Sequence, residues 1–170
     1  MKTVNLRLLL VAIAGIAVLA TPSFLVADPP VGYQFTSYDT GLAEARSSAR
    51  KVFVYFGREG CGFCDVTNKT AFSVPAVQNQ YQANYELVYV DSDSGKRLTL
   101  PSGERITGRD LGARFKAFVT PVFVFLEPDG KPILKRVGVQ SAEQLLAYDV
   151  FVQSKAYQKQ SYEQFSDAKN

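Results

Sequence analysis

A chain of 170 residues, 46% of them apolar, is one domain's worth of sequence with material for a sizeable core. Its 19 basic and 16 acidic residues include no basic run interleaved with aromatics, which argues against a nucleic-acid partner. Two cysteines and no histidine would leave a zinc site to be finished by carboxylates, so neither a metal nor any other bound cofactor is expected.

The first 27 residues read as an export signal. Lys2 and Arg7 form a positive start, Leu8 to Ala20 is a 13-residue apolar stretch, and Leu25-Val26-Ala27 offers a small residue at a cut. Cleavage after Ala20 is a second option. So is an uncleaved anchor, since Leu8 to Ala27 is 20 residues long, about one bilayer span. Removing residues 1–27 takes two basic residues and leaves 17 against 16 acidic ones, so the mature protein is close to neutral. The expected organisation is a signal at 1–27, one domain at 28–153 and a C-terminal tail at 154–170.

Asp28 to Gly32 is an extended entry, because proline disfavours helix before it. Tyr33 to Tyr38 is expected as a short edge strand. Asp39 or Thr40 then caps a helix to about Ser48, with Leu42, Ala45, Arg46 and Ala49 on one face. Lys51 to Phe56 is rich in β-branched and aromatic residues and reads as a buried central strand. A loop from Gly57 to Gly60 leads to Cys61-Gly62-Phe63-Cys64, and the chain behind it continues as a helix towards Pro75. A second helix opens at Val74-Pro75 and runs to about Asn84. Tyr85 to Asp91 is the next strand, and residues 97–106 form a small hairpin around Pro101-Ser102-Gly103.

Thr107 and Asp110 resemble a helix start, with the helix carrying on through Leu111, Arg114, Phe115 and Phe118. Thr120-Pro121 opens a strongly apolar strand to Leu126, and Glu127-Pro128-Asp129-Gly130 is a turn. Lys131 to Val137 returns as an edge strand marked by Pro132. Ser141 and Gln144 form a capping box for a last helix over about Ala142 to Gln153, with Leu145, Leu146, Tyr148 and Val152 as core contacts. In the tail, Tyr157, Tyr162 and Phe165 suggest docking on the body, with fraying as the alternative.

Chemistry concentrates at the cysteines. Residues three apart on a helix share a face, with Cβ atoms about 5–6 Å apart, so modest adjustment brings the sulfurs to bonding distance. First-turn N–H groups lack intrahelical partners and sit at the positive end of the helix dipole. They can donate to a thiolate at Cys61, lowering its pKa and making it the nucleophile. A plain structural disulfide is the alternative, but a bridge enclosing two residues restrains the unfolded chain very little. Glu59, two residues before Cys61, is a candidate for proton transfer, with a solvated loop charge as the alternative.

The order β-α-β-α-β-α-β-β-α, with Cys-x-x-Cys after an early strand and Thr-Pro opening a later one, resembles the thioredoxin fold over about residues 35–153. The resemblance implies an α/β domain with a central mixed sheet flanked by helices, the hairpin near 97–106 being an insert. It implies a cis bond at Thr120-Pro121 lying against the dithiol and offering backbone hydrogen bonds to an extended substrate; a trans proline starting an edge strand is the alternative. Thr120 and Pro121 would then join Gly62 and Phe63 in binding substrate, Phe63 as an exposed apolar lip.

Two departures stand out. The buried Asp that thioredoxins carry six positions before the first cysteine is replaced by Tyr55, and its Lys partner has no counterpart among Leu87, Val88, Tyr89 and Val90. Gly60 stands where a Trp is common. The Gly-Phe spacer is close to the Gly-Tyr of some periplasmic isomerases. The insert and the Phe-Gly-x-x-Gly-Cys approach look most like exported thioredoxin-related proteins of the sulfur-oxidation system.

What this implies is a monomeric periplasmic reductase. Its partners would be exported proteins bearing disulfides, and a membrane thiol–disulfide electron carrier would re-reduce it. A disulfide oxidase or isomerase using the same residues is the alternative, followed by a redox-inactive binding module.

Overall fold

The computed structural model describes residues 29–168, so the expected signal segment lies outside it. Four strands form the central mixed sheet in the order β2-β1-β5-β6: β1 is Lys51–Gly57, β2 Tyr85–Asp91, β5 Val122–Leu126 and β6 Pro132–Val137. β1 runs parallel to β2 and antiparallel to β5, which in turn pairs antiparallel with β6. The two remaining strands, β3 (Arg97–Thr99) and β4 (Arg105–Thr107), pair only with each other as the separate hairpin.

The helices are α1 (Tyr38–Ser48), α2 (Gly62–Thr67), α3 (Pro75–Asn84), α4 (Gly108–Arg114), α5 (Ala142–Gln153) and α6 (Tyr162–Asp167). Helices cover both faces of the sheet, so β1 has no solvent side and reads as a continuous apolar run. Its alternation sorts two cores. Phe53 and Tyr55 point into an aromatic cluster with Phe72, Tyr81, Tyr85, Phe123 and Phe125, while Val52, Val54 and Phe56 face a mostly aliphatic one with Leu42, Val88, Leu111 and Val124. Phe53 alone has five ring neighbours between 4.9 and 6.2 Å away.

Several expected boundaries move. Tyr33 to Tyr38 is not a strand; only Thr36 bridges to Val88, and Ser37 is already the N-cap of α1. On α1 the sheet-facing residues are Tyr38, Gly41, Leu42 and Ala45, while Arg46 is exposed and Ala49 ends the helix in the left-handed region. The helix after the cysteines is interrupted: α2 passes into a π-helical segment, Asn68–Phe72. α4 ends at Arg114, because Lys116 takes a φ of +52°, and Phe118 lies beyond the helix, 73% exposed. The tail packs on the aromatic core through Tyr157, Tyr162 and Phe165, with the Arg136 guanidinium over the Tyr162 ring at 4.4 Å.

Candidate active site

A buried strand that ends abruptly brings the cysteine pair to the surface. β1 stops at Gly57, and a turn through Arg58, Glu59 and Gly60 (φ +68°) delivers Cys61 to the N-cap of α2. Cys61 and Cys64 are joined as a disulfide with Cα atoms 5.2 Å apart. Cys61 is half-buried and Cys64 is only 6% exposed, so one sulfur faces the surface and the other faces the core. Gly62 and Phe63 between them are exposed, Phe63 by 68%.

Two donors converge on the outer sulfur. The Cys64 backbone N–H donates to Cys61 Sγ at 3.1 Å, and the Thr120 hydroxyl donates to it at the same distance. The first follows from the helix start, whose amides have no partner within the helix. The second crosses 59 residues of chain and places the head of β5 against the dithiol. The Thr120-Pro121 peptide bond is cis. The Pro121 carbonyl is occupied by the Gly138 N–H at 2.8 Å, whereas the Thr120 backbone N–H and carbonyl have no partner among the described residues. An extended chain lying over Thr120 can therefore pair with both groups. Phe118 and Val119, 73% and 60% exposed, precede this point, as Phe63 separates the cysteines.

Behind the dithiol the surroundings are aromatic. Cys64 belongs to the cluster with Tyr55, Phe72 and Phe123. Tyr55 donates to Asn68 Oδ1 at 3.0 Å, and burial, with smaller contributions from Tyr89 and Asp65, pushes its phenol far above the usual range. It stays protonated and cannot act as a base. Glu59 sits exposed in the turn and makes no hydrogen bond to either cysteine among the described residues. The one buried carboxylate among the described residues is that of Asp149 on α5, which accepts from Tyr85 on β2 and Asn84 on α3 and is not in the dithiol cluster. No cluster of three or more His, Cys, Asp or Glu suited to a metal occurs among the described residues.

Of the residues singled out from the sequence, the structure brings Cys61, Cys64, Thr120 and Pro121 together, keeps Gly62 and Phe63 at the surface beside them, and leaves Glu59 in the preceding turn. Reading the sequence missed the Thr120 hydroxyl as a partner of Cys61 and Asn68 as the partner of Tyr55. A hydroxyl residue directly before a proline that opens an otherwise apolar strand was the available signal for the first.

The chain matches the model of the thioredoxin-like domain family over residues 38–153, and it belongs to that family. Among solved structures it is similar to a thioredoxin from Thermus thermophilus, with 27% identity and a TM-score of 0.58, covering 70% of this chain and 85% of that one. A thioredoxin-fold protein from Helicobacter pylori matches with 21% identity and a TM-score of 0.58, over 67% of this chain and 75% of the other. The DsbH oxidoreductase matches with 18% identity and a TM-score of 0.53, over 86% and 96%. No curated protein matches the chain.

Proposed function

We propose that this protein is a periplasmic thiol–disulfide reductase that transfers two electrons from the Cys61/Cys64 dithiol to disulfides on exported proteins. The observation that carries the reading is the asymmetry of the pair: an accessible Cys61 sulfur held by two donors, with Cys64 buried one turn behind it. On reduction the same two donors face a Cys61 thiolate. A charge-assisted hydrogen bond is stronger than a neutral one, so both favour the anion over the thiol.

The Cys61 thiolate attacks one sulfur of the partner disulfide. That S–S bond breaks, a Cys61–partner bond forms, and the first partner thiolate leaves and takes a proton from water. Cys64 then attacks Cys61 Sγ, re-forming the Cys61–Cys64 bond and releasing the second partner thiolate. The partner has gained two electrons and two protons, and the enzyme is left oxidised. With no carboxylate among the described residues in the cluster that holds it, Cys64 loses its proton through water or to the departing thiolate. Thr120 and Pro121 position the partner chain, and Gly62 and Phe63 form the lip it passes. A membrane thiol–disulfide carrier returns the enzyme to the dithiol. Export rests on the 1–27 segment, and the likeness to sulfur-oxidation thioredoxins rests on the insert at 92–107 and the Phe-Gly-x-x-Gly-Cys approach to Cys61.

Equilibrating the purified protein with glutathione buffers tests the direction. A reduction potential near about −270 mV supports the reductase, and one near about −120 mV makes the dithiol an oxidant and overturns it. Reduction of insulin that Cys61→Ser abolishes separates either enzyme from a binding module.

A further inference from the structure

Beside Thr120 a cavity of about 220 Å³ opens between the turn after β1, the loop after β2, and α4. Arg58, Ser92, Asp93, Arg109, Phe118 and Thr120 line it. Its wall includes an unsatisfied group: the Ser92 hydroxyl oxygen is buried, the residue is 8% exposed, and that oxygen has no hydrogen-bond partner among the described residues. The Arg109 guanidinium acts on the Asp110 carboxylate, which lies outside the cavity lining, and Arg58 has no ion-pair partner among the described residues. Arg109 donates to the Asp93 carbonyl oxygen at 3.0 Å and neither arginine forms an ion pair among the described residues, leaving the Asp93 carboxylate as the one opposing charge on the wall. Two guanidinium groups against one carboxylate on a cavity wall is an arrangement for an anion, and the planar fork of arginine suits a carboxylate.

The cavity is also in reach of the chemistry. Thr120 lines it and donates to Cys61 Sγ at 3.1 Å, and Arg58 precedes Cys61 by three residues, a span of at most about 11 Å. We infer that this cavity is a subsite for a carboxylate carried one or two residues from the cystine under attack, so that the enzyme selects anionic disulfides. This deepens the reductase reading and rests on it. Either a small disulfide such as oxidised glutathione or an acidic cystine segment of a protein provides that chemistry.

Reduction rates of two matched pairs by the pre-reduced protein test it: oxidised glutathione against its methyl ester, and a cystine-bridged peptide with Glu beside the cystine against the same peptide with Gln. The charged member of at least one pair is expected to react about tenfold faster at low salt, as loss of a charge-assisted hydrogen bond implies, with the ratio shrinking as salt rises. In the Arg58→Gln/Arg109→Gln double variant the ratio should fall below about two, because the charged partners are gone. Since each ratio is taken within one protein preparation, a loss of active protein does not disturb it. A preference confined to the glutathione pair assigns the subsite to small disulfides, and one confined to the peptide pair assigns it to protein segments. Ratios near one in both pairs, or a ratio the double variant retains, overturn the subsite while leaving the reductase standing. Failure to reduce any of the four compounds overturns the reductase and the subsite with it.

Discussion

At the scale of single residues the account turns on Thr120 and Tyr55. The Thr120 hydroxyl is one of two donors on Cys61 Sγ, and Val has nearly the same shape without the donor. Hydrogen bonds to a charged group contribute about 1.5–3 kcal/mol, so Thr120→Val should raise the Cys61 thiol pKa in the reduced protein by about one to two units. Thiolate absorbance of the reduced variant against pH reads this directly, and an unmoved titration would show the hydroxyl to be idle. The two cysteines and the Thr-Pro step were legible because each is a rare residue or dipeptide with a fixed structural use. The hydroxyl contact was not read: a hydroxyl residue before the strand-opening proline signals a polar role there, but spacing does not name a partner 59 residues away. Tyr55 was legible as a departure, but its partner Asn68 lies 13 residues on in a π-helical segment that helical periodicity does not anticipate.

Among the elements, the central strand and the last helix were the easiest to read, β1 from its unbroken apolar run and α5 from its Ser141/Gln144 capping box. α4 was read too long because its apolar spacing continues to Phe118, while the turn at Lys116 is a local backbone choice that the spacing does not encode. The stretch Tyr33 to Tyr38 has the composition of a strand, yet it makes a single bridge because the chain turns into α1 at Ser37. How α4 sits on the sheet depends on Gly108, its first residue. A Cβ there would lie 2.6 Å from the Asp91 backbone carbonyl oxygen, a contact with backbone that cannot rotate away. Gly108→Ala should therefore cost about 1–3 kcal/mol as overpacking does, with α4 and the hairpin the first to lose amide-exchange protection. Protection lost evenly over the whole chain would show that this contact does not hold α4 in place.

The whole molecule is held by an aromatic interior whose phenols set an alkaline limit. Burial pushes the Tyr55, Tyr81 and Tyr85 hydroxyls far above the ordinary value near 10. Below pH 10 these groups are protonated whether folded or not and do not alter stability. Above pH 10 the unfolded chain ionises and the folded one does not, so each buried phenol lowers stability by about 1.4 kcal/mol per pH unit. Three together remove about 4 kcal/mol per unit, against a typical total of about 5–15 kcal/mol. Tyrosinate absorbance from the buried set should therefore appear above pH 10 in one cooperative step that coincides with unfolding. All nine tyrosines titrating together near pH 10 with the fold intact would contradict that interior.

What the dithiol does depends on which sulfur attacks, and trapping reads that most directly. Incubated with a disulfide-bearing partner protein, Cys64→Ser is expected to accumulate a covalent complex through Cys61 that reductant dissolves. Cys61→Ser, its remaining thiol buried, is expected to form none. Equal trapping by the two variants, or a complex formed by Cys61→Ser alone, would contradict the assignment of Cys61 as nucleophile.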